Sequence, residues 1–562
     1  MARDHHFHIA MFPWSAFGHM MPFFQLSIAL AKSGVQVSFI STSKNIQRLP
    51  KPPPNLSTLI NFVEFQLPAL ENELLPEGAE ATVDITSDQI QYLKIAYDLL
   101  QHPFKQFVAD QSPDWIFVDA INHWTAEIAL EYQVPLLFFS VFSAAVMDFF
   151  VHPEFIVGEP TERVRSSPES LTFVPEWVDF PSSLAYPGFE ANGLFHGFYG
   201  SNASGITDAE RFYKIIRACK AVAVRSCPEY ESQYLNLLEK ITTKPVIPVG
   251  LLPPENHKGR DQITDESWIK IFQWLDEQKP RSVVFVGFGS ECKLTKDQVY
   301  EMAYGLELSG LTFLWALRKP DWAAYDVDVL PSGFGQRTHG RGVVSIGWAL
   351  QLEILGHPSI GGSLFHSGWG SVIETLQFGH CLVVLPLILD QPLNARILVE
   401  KGLAVEVERR EDGSFTRDDI AKALKLAMVS EDGEKLRVRA REVAVIFKDR
   451  KLHENYFDRF VDFLKLNEEN IQGDIGTENS AQPSDHPDRV EKIQQDTTGV
   501  SGTEIGGMEE GEMVFSEKQG SESQTLPISE GMVNSSGISG LQVAGKIGTG
   551  FCTEVGLTEV MV

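Results

Sequence analysis

Short apolar, β-branched and aromatic runs alternate along this chain with longer stretches whose apolar positions recur at helical spacing. In the first half the strand-like runs are His6–Pro13, Val35–Thr42, Phe62–Leu67, Trp115–Asp119, Leu136–Phe139 and Ala221–Arg225. A second series follows at Val283–Phe288, Thr312–Leu317, Val343–Ile346, Ser363–Phe365, Leu382–Leu385 and Ala404–Val407. Strand and helix in regular alternation predict parallel sheets covered by helices on both faces, hence an α/β fold. Between the two series, Glu255–Glu266 is polar and aperiodic and reads as a linker.

The pattern predicts two facing Rossmann-like, doubly wound domains, with ligands in the cleft between them at the carboxyl ends of the strands. Expected bounds are 1–250 for the first domain, 251–266 for the linker and 267–452 for the second domain. A closing helix is expected over 453–467, where His453–Leu466 is aromatic-rich at helical spacing. From Glu468 to residue 562 the composition turns to Gly, Ser, Thr, Glu and Gln, with roughly seventeen acidic residues against about four basic, and predicts a disordered acidic tail.

Composition narrows the function. The net charge of −28 over 562 residues lacks the basic footprint of a nucleic-acid binder. Five cysteines, Cys219, Cys227, Cys292, Cys381 and Cys552, form no CxxC pair, which argues against a disulfide framework or a zinc site. The start, Met1-Ala2-Arg3-Asp4-His5-His6, has no apolar signal stretch. The apolar run Val134–Val151 is interrupted by Pro135, Ser140, Ser143 and Asp148, so no transmembrane segment is expected. A cytoplasmic, monomeric enzyme is the resulting expectation.

The most specific segment is Trp348–Gln391, WALQLEILGHPSIGGSLFHSGWGSVIETLQFGHCLVVLPLILDQ. It opens with Trp-Ala-x-Gln, carries His-x-Gly-Trp-x-Ser-x-x-Glu at its centre and closes with Asp-Gln. In length and order it resembles the signature box of the plant family 1 UDP-glycosyltransferases, and the resemblance extends over about residues 6–466. It implies a GT-B fold, a UDP-sugar as co-substrate, and neither cofactor nor metal. By resemblance Trp348 stacks on uracil with Ala349 adding backbone contacts, and Gln351 and Glu374 hold the ribose. His366, Gly368, Trp369, Gly370 and Ser371 surround the diphosphate at a strand-to-helix turn, where free N–H groups favour an anion. Asp390 and Gln391 reach the sugar hydroxyls, and Ser290, in Gly287-Phe288-Gly289-Ser290, is a further phosphate donor. The box departs from the common pattern at Leu350, Ser367 and Gly370, which replace proline, cysteine and asparagine; only the last removes a side chain that usually faces phosphate.

Sugar transfer to a hydroxyl needs a base that titrates near neutrality and a group that stabilises its charged form. His19, in the loop after the first strand, resembles the family's catalytic histidine, and Asp119, ending the Trp115–Asp119 run, is placed to hold its ring. His123 and Trp124 are candidates for the acceptor pocket, as are Phe17, Phe142–Phe150 and the aromatics Phe189, Phe195 and Phe198. Asp326-Val327-Asp328 has the form of a metal-binding DxD but sits in a polar loop, away from a strand end. Gln391 is the family's usual residue for UDP-glucose, whereas the overall resemblance is to the subgroup that adds rhamnose or glucose to a glycoside; rhamnose is favoured, with an apolar triterpenoid or flavonoid glycoside as acceptor. The alternatives are a glucosyltransferase acting directly on an aglycone, a UDP-sugar binder without activity, and a nucleotide-sugar epimerase.

Overall fold

A computed structural model describes residues 7–154, 165–254 and 263–478, the last eleven as backbone only. The expected linker Glu255–Glu266 lies partly, and the tail from 479 onward entirely, outside the described residues. The first sheet contains β1 (His8–Phe12), β2 (Gln36–Thr42), β3 (Ile60–Phe65), β4 (Trp115–Val118), β5 (Leu136–Ser140), β6 (Ala221–Val224) and β7 (Val246–Pro248), in the order β3-β2-β1-β4-β5-β6-β7. The second contains β8 (Val283–Gly287), β9 (Thr312–Leu317), β10 (Gly342–Ile346), β11 (Ile360–Phe365), β12 (Cys381–Val384) and β13 (Ala404–Glu406), in the order β10-β9-β8-β11-β12-β13. Every neighbouring pair is parallel.

The inner strands are buried almost throughout and mostly apolar because both of their faces are covered, and polar residues such as Ser38, Ser140 and Ser363 are buried with them. In β1, Ala10 and Phe12 join one core layer, while Ile9 and Met11 join the layer on the other face. The second sheet divides in the same way, Val284 and Val286 on one side and Val283 and Phe285 on the other. β7 lies outside the strands read from sequence: three residues that follow Pro245 and end in Pro248 look like a turn, yet they pair with β6 at the sheet edge, where a proline is tolerated.

Strand order fixes where ligands can bind. The first sheet reverses its winding between β1 and β4, where Phe12 pairs with Val118. The second reverses between β8 and β11, where Gly287 pairs with Phe365. A crevice opens where adjacent strands send their connections to opposite faces. His19 and Asp119 follow the first pair of strand ends; Ser290 and His366 follow the second.

The last helix runs over Arg450–Glu478, longer than the 453–467 expected, since helical hydrogen bonding continues past the final apolar position. It returns to the first sheet: Phe457, Phe460, Val461 and Leu464 share a core with Ile9, Met11, Trp115 and Phe117. The crossing is close at Gly250, where φ is +74° and an added Cβ would lie 3.0 Å from the His453 backbone, a conformation and a clearance that suit glycine.

Candidate active site

β1 ends at Phe12 and a short turn leads into the helix Phe17–Lys32, whose first turn carries His19. Asp119 is the first residue beyond β4. The parallel register of the two strands brings these side chains together: His19 Nδ1 lies 2.9 Å from Asp119 Oδ2, and the carboxylate is buried at 1% exposure while the imidazole retains 14%. The same oxygen accepts the Trp14 N–H at 2.8 Å. Two donors hold the carboxylate in place, and it holds the ring in turn; Nε2 is left as the nitrogen that can take a proton. Phe142 packs edge-on against the imidazole, with ring centroids 5.5 Å apart.

Opposite this pair stands the second sheet. Trp348 follows β10 and is 77% exposed, with its ring centroid 6.3 Å from that of Phe17. The Phe17 N–H donates to Glu291 at 3.3 Å, next to Ser290, whose carbonyl accepts from Arg318. Ala349 and Leu350 pack on the small core under β8 and β9, and Gln351 opens the short helix Gln351–Leu355. Its amide donates to Glu374 at 2.6 Å. Burial pushes the Glu374 carboxyl up, opposed by Gln351 and by the charge of Arg225.

His366, just past β11, is held between two glycines. A Cβ at Gly289 would come within 2.9 Å of its ring, and one at Gly368 within 2.7 Å. Burial pushes the imidazole down to about 4, so at neutral pH it is uncharged and can donate only one hydrogen bond. Nδ1 is buried with no hydrogen-bond partner among the described residues. Ser367, at φ +60°, turns the chain into the helix Trp369–Leu376, and its hydroxyl donates to the Gln391 carbonyl at 2.9 Å. Gly370 and Ser371 lie in the first turn of that helix.

Asp390 and Gln391 behave differently from each other. The Asp390 carboxyl, pushed up to about 6 by burial, is held down by a 2.7 Å bond from Asn394 and by the charge of His19, so it belongs to the same field as the first-sheet pair. Gln391 is buried, with its carbonyl oxygen accepting the Leu387 and Ile388 N–H groups at 3.0 Å and its amide nitrogen 3.7 Å from Cys292 Sγ. The indole of Trp369 also turns inward: it donates to the Arg225 carbonyl at 2.8 Å and stacks on Tyr230, leaving only its backbone at the helix start.

Trp124, expected near an acceptor, is a core residue against Phe12 and Phe104. His123 faces Arg211, 3.1 Å away, and Asp98. Phe195 is buried and Phe189 covers the guanidinium of Arg409, whereas Phe142 does reach His19. Asp326-Val327-Asp328 forms a 3-10 turn in which Asp326 pairs with Lys319. Among the described residues no group of three or more His, Cys, Asp or Glu side chains gathers as a metal site, and no helix is long and apolar enough to cross a membrane. Arg225 and Tyr186 were not foreseen as site residues. Arg225 follows β6 as Asp119 follows β4, a charge closing an apolar run. Tyr186, whose hydroxyl donates to the Leu389 carbonyl at 2.6 Å, carries no such signal.

Residues 267–460 match the family described as UDP-glucoronosyl and UDP-glucosyl transferase. UDP-glycosyltransferase 91A1 of Arabidopsis thaliana is 41% identical over 466 residues, which span 82% of this chain and 97% of the relative. The chain belongs to the plant UDP-glycosyltransferase family. Another member, soyasaponin III rhamnosyltransferase of Glycine max, is 39% identical over 468 residues, 83% of this chain and 96% of that protein. In fold, this UDP-glycosyltransferase superposes on the crystal structure of Glycyrrhiza uralensis UGT73P12 with a TM-score of 0.70 at 21% identity, over 84% of this chain and 98% of the other. A UDP-bound transferase from Siraitia grosvenorii gives a TM-score of 0.62 at 25% identity, over 82% and 99%. The two parallel-sheet, Rossmann-like domains are those of the GT-B fold, and the protein is a glycosyltransferase.

Proposed function

We propose that this enzyme moves a sugar, rhamnose in preference to glucose, from its UDP conjugate onto a sugar hydroxyl of an apolar plant glycoside, with inversion at the anomeric carbon. The observation that carries the reading is the His19–Asp119 pair, set across one cleft from Trp348 and within the electrostatic reach of Asp390. His19 Nε2 takes the proton of the acceptor hydroxyl as its oxygen attacks the anomeric carbon; that carbon's bond to UDP breaks, and UDP leaves with the electron pair. Asp119 stabilises the imidazolium without accepting its proton.

Uracil stacks on Trp348, ribose lies against Gln351 and Glu374, and the sugar meets Asp390. The diphosphate is met by neutral His366 as a single N–H donor, by Ser290 and Ser371, and by the backbone N–H groups of Gly368, Trp369 and Gly370, fixed donors that need no metal to assist them. The position of Gln391 within its own loop supports an orienting role through Leu387 and Ile388. The preference for rhamnose rests on the rhamnosyltransferase relative. The four described cysteines are free and buried, which suits a cytoplasmic enzyme.

UDP release, measured with UDP-rhamnose and with UDP-glucose, each with and without a triterpenoid or flavonoid glycoside, tests the reading. Acceptor-dependent release that His19→Ala abolishes, faster with UDP-rhamnose, is expected. Faster release with UDP-glucose would overturn the donor assignment, and UDP binding without turnover over a broad acceptor panel would overturn transfer to these glycosides.

A further inference from the structure

Arg225 is a charged side chain at 1% exposure, placed where the two sheets meet. Its Nε donates to the Leu251 carbonyl at 2.8 Å and its Nη2 to the Leu252 carbonyl at 3.1 Å. Leu252 adopts φ +45° there, an unfavourable backbone for leucine. The Arg225 carbonyl accepts the Trp369 indole N–H, which ties Arg225 to the start of the helix Trp369–Leu376. The remaining nitrogen, Nη1, points at Gly370: a Cβ built there would be 3.8 Å from it.

Carbonyls orient a guanidinium but do not neutralise it, and a buried cation without an anionic partner is expensive. The nearby carboxyl is Glu374, already engaged by Gln351. Glu374 acts on the guanidinium through space without a hydrogen bond to it, and Nη1 is left facing the space above Gly370. At the first turn of this helix, with His366 beside it, that space suits an anion with several acceptor oxygens, for which a guanidinium is the best-matched side chain.

We propose that Arg225 contacts the donor diphosphate past Gly370, supplying from the first sheet the side-chain donor that position 370 lacks. Arg225 and Gly370 then act as a unit: glycine leaves the opening and arginine uses it. The inference rests on the reading of Trp348–Gln391 as the UDP-sugar site.

Calorimetric titration of the full chain with UDP and with uridine separates diphosphate contact from a structural role. Arg225→Met is expected to weaken UDP about tenfold or more while leaving uridine within about twofold, since only UDP carries the charged acceptors. Gly370→Asn added to that variant is expected to restore part of the loss. Should Arg225→Met fold poorly, Arg225→Lys, which keeps the charge but loses the fork, is expected to show the same selective loss to a smaller degree. Unchanged UDP affinity in Arg225→Lys or Arg225→Met, or parallel losses for UDP and uridine, would overturn the proposal. A wild-type protein that binds neither compound would overturn the donor-site reading as well, so the two failures are distinguishable.

Discussion

Asp119 accepts hydrogen bonds from both the Trp14 backbone and the imidazole of His19 on one oxygen, at 2.8 and 2.9 Å, so strand register rather than side-chain flexibility sets the orientation of the ring. Asparagine at 119 keeps both bonds only with its carbonyl oxygen in the Oδ2 position, where it lacks the charge that stabilises an imidazolium; flipped, it sets its NH2 against the Trp14 N–H and His19 Nδ1 and puts the ring proton on Nε2. That tautomer cannot take a proton from an acceptor. Asp119→Asn is expected to lower kcat about a hundredfold to ten-thousandfold, comparably to His19→Ala, with Tm and UDP affinity near wild type. A kcat within a factor of about three of wild type would remove Asp119 from the mechanism.

Asp390 yields a pH dependence whose sign can be worked out. Its carboxyl is pushed from an ordinary 3.8 to about 6, so between those values the folded protein holds a proton that the unfolded chain has released. This group therefore makes the folded state more stable as pH falls from 6 toward 4, and less stable as pH rises through the same window. Function runs the opposite way, since a protonated carboxyl is a poorer acceptor for sugar hydroxyls. The ratio of the UDP-sugar KM of wild type to that of Asp390→Asn is expected to rise as pH drops below about 6, while the Tm advantage of the variant shrinks. A KM ratio that stays flat from pH 5 to 8 would rule out an ionised Asp390 as a sugar contact.

Much of this fold is visible in sequence because buried parallel strands are nearly uniform apolar runs. Twelve strands lie on runs such as Trp115–Asp119 and Leu382–Leu385, and only β7, which follows Pro245 and ends in Pro248, escapes. The candidate site is legible where a motif is long: Trp348 and Gln351 follow β10, His366 follows β11, and Glu374, on the next helix, accepts from Gln351 at 2.6 Å. Sequence says less about where a side chain points. Trp369 and Trp124 look like pocket residues, yet their indoles pack inward because a large apolar ring gains more from burial than from exposure. Arg225 is invisible in the box because it arrives from the other sheet, a relation that only the folded chain creates.

The two glycines around His366 lead to a selective prediction. Gly368 has an ordinary helical-entry backbone, φ −61°, so alanine there adds no backbone strain; its only effect is a Cβ 2.7 Å from Nε2 of a ring already confined on the other side by Gly289. The ring cannot yield, and the imidazole must leave its position. Gly368→Ala is expected to raise the KM for the UDP-sugar about tenfold, whereas Gly370→Ala, whose Cβ meets nothing nearer than Arg225 Nη1 at 3.8 Å and only narrows the opening that guanidinium uses, is expected to raise it less, about threefold. Equal effects at the two positions would mean that the ring is not confined.

The last helix makes the first sheet depend on the far end of the fold. Phe460 is fully buried against Phe117 on β4, with ring centroids 6.0 Å apart, and the Trp115 indole donates to the Leu464 carbonyl at 3.2 Å. Asp119 directly follows this strand, so a loosened helix is expected to disturb, through β4, the carboxylate that holds His19. Phe460→Ala removes a core aromatic from a site that cannot collapse between a sheet and a helix, and is expected to cost about 3–5 kcal/mol in chemical denaturation. Phe460→Leu, which keeps most of the volume, is expected to cost less than about 1.5 kcal/mol. If helix and sheet form one cooperative unit, both variants unfold in a single transition followed equally by tryptophan fluorescence and far-ultraviolet circular dichroism. An early fluorescence transition in Phe460→Ala, with helical signal retained, would instead show that the first sheet can lose its cover while the second stays folded.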